Sequence, residues 1–312
     1  MTLRASTAAA IHMPGGAQDA SYGRWHSPTA VVCWASGAKV FTAGLARALV
    51  AAGELAWDSH VPTLLGVPGP EHLTIAALVE HRGGLARTLP EQRATLPDPY
   101  REWTTERFDE RVLPDLEALA TAVSPGVEAY SNTGYALLGR ALEVSQRQGW
   151  IDLVRERLIA PLGMREEVMT VAPPDSPRAE ASPGAGAVAL ASRDLRERPV
   201  ADWDVSTGPF AAAGGLCSTV PSMLAVLSAA LEASSPLAPG AGPHAWTQAG
   251  ALAAHQGALS RSGSLLVVNT ELGSVGVAHA VGGLPGHGAR RAERALSNLI
   301  SRQAPAGARA AP

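Results

Sequence analysis

Thr29–Gly53 reads TAVVCWASGAKVFTAGLARALVAAG, and its periodicity changes at Ser36. The run Thr29 to Ala35 is short and mostly apolar, as suits a buried strand or the entry to a helix. From Ser36 onward, Val40, Phe41, Leu45, Leu49 and Val50 recur at helical spacing, and Gly53 is a natural stop. Ser36 and Lys39, at i and i+3, therefore share one face at the start of a helix. The positive end of the helix dipole favours a negative oxygen there and disfavours an ammonium charge.

Lys39 is the only lysine among 25 lysines and arginines. A guanidinium does not lose its proton in a protein, whereas a desolvated lysine shifts its pKa readily and can act as a base. Ser36-x-x-Lys39 thus reads as an oxygen nucleophile with its proton acceptor. By itself the pair is equally compatible with an arginine-rich composition and chance, because serine is common. The rest of the chain decides between the two.

Thr74 is placed to cap a helix running through Glu80, with Gly83-Gly84 to end it. A long helix is predicted from Asn132 towards Gly149, and another from Trp150 to Ile159, closed by Pro161-Leu-Gly163. Val171 to Pro209, rich in proline, alanine and serine, reads as a long loop or inserted lid. Ser218 or Thr219 opens a helix through Glu232, and Ala233 to Pro243 reads as a second loop. Gly257–Ser260, Ser264–Asn269 and Val275–Val281 read as short strands, the last two forming a hairpin around Glu271–Ser274. A helix from about Ala289 to Ser301 follows, then a frayed Pro/Ala tail. Strands near both ends and helices between them predict an α/β (α+β) fold. An antiparallel sheet would be built from both chain ends, flanked by helices, with a mostly helical region inserted. One catalytic unit is expected, with a sheet part over about 1–55 and 211–312 and a helical part over about 56–210.

Composition narrows the function classes. The chain has 312 residues, a net charge of -3 and 46% hydrophobic residues. Such a balance carries no electrostatic footprint for nucleic acid. No apolar run approaches the ~20 residues that span a bilayer, and Met1 to Gly16 makes a poor signal peptide. Cys33 and Cys217 are too few for a disulfide framework and read as small buried hydrophobes. These features predict a cytoplasmic protein without membrane or nucleic-acid partners. The nine histidines show no metal-ligand spacing, so neither metal nor cofactor is expected.

Four further segments complete the pattern. They are AYSNTGYALLG with Tyr130-Ser-Asn132, LVEHRGGL with His81, AAAGGLCST from Ala211 to Thr219, and His255-Gln256-Gly257. With Ser36-x-x-Lys39, and in this order, they resemble the serine β-lactamase and penicillin-binding-protein superfamily, especially its class C β-lactamase and esterase branch. The likeness extends to AKVFTAGLARALVAAGEL, YSNTGYALLGRALE and LIAPLGM, and covers roughly Trp34 to Val281. The resemblance implies that Ser36 becomes acylated and that Lys39 takes or relays its proton. It implies that Tyr130 assists acylation and activates water or alcohol in deacylation. Asn132 would hold Lys39 and the substrate carbonyl, with N-capping as a second role. Backbone N–H groups of Ser36 and Ala258 would form the oxyanion hole. A free phenol ionises near pH 10, so Tyr130 needs neighbouring positive charge, expected from Lys39 and His255. His81 reads as a structural hydrogen-bonder, Gly214-Gly215 as a tight turn, and GGLPGHGAR around His287 as a helix entry.

Two departures shape the expected activity. The family's Lys-Thr-Gly or Lys-Ser-Gly segment, which holds a substrate carboxylate, is His255-Gln256-Gly257 here. A histidine that is largely neutral at pH 7 and an amide without a hydroxyl both weaken the case for a carboxylate-bearing substrate. The stretch before Ser36 is short, so one sheet edge is expected to be reduced or covered by a partner, which leaves room for a homo-oligomer. The expected partner is therefore a small-molecule ester or amide, handled by a serine acyl-enzyme hydrolase. The alternative is an acyltransferase of secondary metabolism that passes the acyl group to an acceptor. Weaker alternatives are a β-lactamase and a catalytically dead binding protein on the same scaffold.

Overall fold

The computed structural model describes residues 5–92, 98–165, 168–171, 188–206 and 208–303. Strands β1 (Ala5–His12) and β2 (Gln18–Tyr22) precede β3 (Ala30–Cys33). A single 3-10 turn, Ala35–Gly37, leads into α1 (Ala38–Ala51). The helical region holds α2 (Val61–Leu65), α3 (Ile75–Val79), α4 (Thr105–Arg111), α5 (Leu116–Leu119), α6 (Asn132–Gln146) and α7 (Trp150–Val154). Three two-residue strands follow: β4 (Val188–Ala189), β5 (Ser192–Arg193) and β6 (Pro199–Val200). Then come α8 (Ala211–Gly214), β7 (Cys217–Thr219), α9 (Val220–Glu232), β8 (Thr247–Ala249), β9 (Leu252–Ala258), β10 (Ser262–Asn269), β11 (Ser274–Gly282) and α10 (Gly288–Gln303).

The main sheet has the order β2-β1-β11-β10-β9-β8, so the two chain ends do build it. β1 lies antiparallel to β11, from Ala5 opposite Gly282 to His12 opposite Val275. Period-2 alternation sends the two faces of β1 to different cores. Ala8 and Ala10 face the large core shared with α1, α6 and α9, while Ala9 and Ile11 face a smaller one. Ala292, Leu296 and Leu299 of α10, at i, i+4 and i+7, cover that smaller core. α1 is buried over most of its circumference, including Phe41, Leu45 and Leu49 at 0% exposure. A helix apolar all round must be central, and α1 carries Ser36's turn at its N-terminal end.

Several sequence expectations shift. The run Thr29–Ala35 is a strand only to Cys33, and β3 pairs with β7 and β4 in a separate small sheet. The sheet edge is not reduced, because β2 extends it beyond β1. β9 begins at Leu252, five residues before the predicted start, and β8 adds an edge of three exposed residues. Within the expected loop Val171–Pro209, the described part contains β4, β5 and β6, while 172–187 and 207 lie outside the described residues, as does the tail 304–312. Among the described residues no helix is long and apolar enough to cross a membrane.

Candidate active site

Ser36 sits in the 3-10 turn between β3 and α1, and Lys39 one turn further along projects back beside it. The Lys39 Nζ donates to Ser36 Oγ at 3.3 Å, to Asn132 Oδ1 at 2.9 Å and to the Ala213 carbonyl at 2.6 Å. Tyr130 Oη donates to Ser36 Oγ at 2.7 Å. Two hydroxyls and one amine therefore share a single proton network around the candidate nucleophile. Asn132 is fixed from its other end, its Nδ2 donating to Tyr100 Oη at 3.0 Å.

The electrostatics follow from burial. Lys39 is 0% exposed, and desolvation lowers its pKa; Tyr130 opposes that shift and Arg87 adds to it. Burial pushes the Tyr130 phenol up, but the Lys39 charge, hydrogen bonds with Lys39 and Ser36, and the Arg87 charge together bring it below 10. Both groups are thus moved towards the proton-free forms that a base needs. The Arg87 guanidinium lies 4.9 Å from the Tyr130 ring centre, as does Lys39 Nζ.

His255 does not supply the positive charge expected of it. Its ring is buried, and desolvation drives its pKa down to about 4, against the pull of the Ala245 and Ser36 backbones. Its Nδ1 lies 2.6 Å from the Ala245 carbonyl, so its visible role is to tie β9 to the segment before β8. Arg87 takes over the electrostatic part. The sequence gives no spacing that separates Arg87 from the other arginines. Tyr100 had a weak signal, as one of only four tyrosines.

Asn132 is not the helix cap. Ser131 caps α6, its Oγ accepting from Gly134 N–H at 2.8 Å and donating to the Ala86 carbonyl at 2.7 Å. That frees the Asn132 side chain for Lys39 alone on the acceptor side. His81 holds the same segment, its Nδ1 accepting from Ser131 N–H at 3.0 Å. The ring is neutral, because burial lowers its pKa to about 3. Its backbone is left-handed at φ 58°, and Ala35, immediately before the nucleophile, is left-handed at φ 49°. A non-glycine residue pays about 1 kcal/mol or more for that conformation, and here both cases abut the reacting groups.

The β9 edge completes the site. Leu259 N–H bonds to the Ser262 carbonyl at 3.1 Å, which sets the alternation of the β9–β10 ladder. Ala258, opposite Gly263, then falls at a non-bonded pair and turns its N–H away from β10. β8 reaches only as far as Ala254, so that N–H faces an open edge. Ser36 and Ala258 both line one small cavity with Tyr100, Asn132 and Gly214. Gln256, by contrast, is exposed on β9. Gly214 and Gly215 make no left-handed turn, and Gly215 has φ -92°. A Cβ on Gly215 would instead press on the Val205 carbonyl at 2.6 Å, so the need is for close approach.

Gly257 answers the same need more directly. An added Cβ there would strike the Trp34 carbonyl and Ser264 Oγ, with Ala35 Cβ at 3.0 Å. The Gly257→Ala variant is expected to push β9 from the Ser36 turn and to lower kcat/KM on the order of 100-fold. Steady-state kinetics on an activated ester, beside a thermal melt, would check this. Wild-type turnover would mean that the spacing between β9 and Ser36 is not critical.

Comparison with known proteins places this geometry. The family described as Beta-lactamase matches residues 6–297. Over 143 residues, 42% of this chain, the sequence is 35% identical to penicillin-binding protein 4 of Amycolatopsis lactamdurans. The match spans only 34% of that protein's length. Among solved structures, a class C β-lactamase superposes with a TM-score of 0.72 at 15% identity, over 96% of this chain and 91% of that one. A D-stereospecific amidohydrolase from Streptomyces sp. gives 0.67 at 21% identity, over 93% of each chain. A β-lactamase/D-alanine carboxypeptidase from Pseudomonas syringae gives 0.70 at 18% identity, over 96% and 94%. At these identities the superpositions establish the fold, while the family match covers nearly the whole chain. A mixed sheet-and-helix fold with Ser36, Lys39, Tyr130 and Asn132 gathered at one point, and a family match from end to end, make this chain a member of the Beta-lactamase family.

Proposed function

We propose that this chain is a serine acyl-enzyme hydrolase of the esterase or amidase type, acting on a small ester or amide. One observation carries the reading: Ser36 Oγ lies 2.7 Å from Tyr130 Oη and 3.3 Å from a fully buried Lys39. In the first step Ser36 Oγ bonds to the substrate carbonyl carbon, and its proton passes into the Lys39–Tyr130 pair. The carbonyl oxygen gathers charge between the Ser36 and Ala258 N–H groups. The bond to the leaving group breaks, and the pair returns the proton to that group. Water then attacks the acyl-serine by the same route in reverse, releasing the acid and restoring Ser36.

A cavity of about 270 Å³ lies on the other side of Tyr130, lined by His255, Glu80, Glu128 and Trp246 among others. Arg82 also lines it, 3.9 Å from a carboxylate oxygen of each of Glu80 and Glu128, so the wall is close to balanced in charge and, with the neutral His255 imidazole, suits a neutral leaving group. The same space supports the second reading, transfer of the acyl group to an alcohol or amine acceptor. The chemistry up to the acyl-enzyme is shared by both readings.

The test is intact-mass spectrometry after a fluorophosphonate probe. One adduct per chain is expected on the wild type and none on Ser36→Ala. A folded wild-type protein that stays unlabelled would favour a binding protein on this scaffold.

A further inference from the structure

The Ser36 cavity holds only about 20 Å³, scarcely more than one water needs. Beside it lies a second cavity of about 780 Å³. Trp203, Val205 and Leu259 line both, so the two spaces meet at these side chains. The larger volume lies within the roughly 300–1,000 Å³ of small-molecule sites. The described residues that wall it are largely apolar: Val31 on β3, Val281 on β11, and Leu190 and Val200 on the segment that covers it.

Its polar groups are nearly all engaged within the protein. Asp202 accepts from Ser192 Oγ at 2.8 Å, Ser262 Oγ at 2.7 Å and Arg261 N–H at 3.2 Å. His279 is the exception. Its Nδ1 lies 3.0 Å from His26 Nε2, and His26 Nδ1 lies 2.7 Å from Ser6 Oγ. Ser6 Oγ also accepts from Trp25 N–H, and a hydroxyl can accept twice, so the direction of the Ser6–His26–His279 relay follows the tautomers of the two rings. The far nitrogen of the His279 ring, Nε2, is the free end of that relay. That nitrogen is buried and has no partner, on a ring that forms part of the cavity wall. A hydroxyl along a bound chain would give it one in either tautomer.

We propose that this cavity receives the acyl chain of the substrate: an extended, mainly aliphatic acyl group, longer than acetyl, that leaves the Ser36 carbonyl between Trp203, Val205 and Leu259. The inference rests on Ser36 forming the acyl-enzyme. A site without this second space would take short acyl groups only. The half-buried Cys33 also lines the cavity, which makes its thiol a built-in reporter of occupancy.

Two measurements test the assignment. In the first, kcat/KM is compared for p-nitrophenyl octanoate and p-nitrophenyl acetate. The octanoyl ester should be favoured on the order of 100-fold, and Ala189→Trp, which fills the cavity, should cut that ratio at least about tenfold. A wild-type ratio near one, or a ratio untouched in a folded variant, overturns the proposal. The second needs no variant. The wild type is phosphonylated with octyl or methyl phosphonofluoridate, forming an Oγ–P bond at Ser36 as fluoride leaves and the serine proton enters the Lys39–Tyr130 pair. Cys33 is then labelled with methyl methanethiosulfonate. The octyl adduct should slow labelling about tenfold relative to the methyl adduct. Equal rates, or an adduct from the methyl reagent alone, overturn the acyl cavity and leave the role of Ser36 standing. No Ser36 adduct from either reagent overturns both.

Discussion

Lys39→Arg is expected to lower kcat/KM on an activated ester by about 10³-fold, within the range for loss of a positioned general base. Charge is conserved in this variant, so an electrostatic role alone would survive it. What is lost is the ability to release a proton, because a guanidinium keeps its own throughout the working pH range. Burial makes the contrast sharp: the same desolvation that lowers the Lys39 pKa makes its neutral form accessible. A second readout separates chemistry from packing, since arginine is also bulkier in a closed slot. In the wild type, kcat/KM should rise with pH as the Lys39–Tyr130 pair loses a proton, with an inflexion lower than that of free lysine and tyrosine side chains, because both groups are lowered. That limb should vanish in a folded Lys39→Arg protein. A variant within a few-fold of wild type, with the limb intact, would remove Lys39 from the proton path.

A second large effect is loss of the fold in mild acid. His26 and His255 are held down to about 4 and His81 to about 3, with burial as the leading cause in each, and His279 is held well below its usual value. Above pH 6.5 these rings are neutral in both folded and unfolded chains and contribute nothing. As pH falls below 6.5 only the unfolded chain takes up the protons, so stability falls with it until the folded pKa values are reached. By pH 5 His26, His255 and His81 each cost about 2 kcal/mol, about 6 kcal/mol together, and His279 adds in the same direction. That rivals the whole stability of a typical domain, about 5–15 kcal/mol. Glu143, buried with a raised pKa, works the other way but is one group against four. Urea titrations at pH 7.5, 6 and 5 should therefore show the midpoint collapsing towards zero. A midpoint constant over that interval would mean that these rings accept protons without unfolding.

What the sequence discloses, and what it withholds, divides along physical lines. Ser36, Lys39, Tyr130 and Asn132 are legible because their roles are set by residue type and local spacing. Lys39 stands out further by being unique. The two-ended sheet is legible because the short apolar run Val275–Val281, bounded by turn residues, and helical spacing in α1 and α6 report on burial directly. β2 and β8 escape notice because Gln18–Tyr22 and Thr247–Ala249 are short, largely exposed edges without alternation. The charge of His255 is misjudged because burial in the assembled fold, not the residue type, fixes its protonation. Arg87 is hidden because only tertiary structure brings it over the Tyr130 ring. Asn132 loses the cap to Ser131 because both are good caps, and neighbouring contacts with Ala86 and Lys39 decide which one serves.

The pairing of β1 with β11 also governs when the proposed site can first form. A ribosome delivers Ser36, Lys39 and Tyr130 long before it delivers Gly257, Ala258 and the strand that closes the sheet. Until then the nascent polypeptide holds its reactive serine without the edge that would receive an oxyanion, and β1 waits with one side unmatched. The proposed acyl chemistry is thereby deferred until β9 to β11 have emerged, and a chain cut before them is left inert and prone to stick to others.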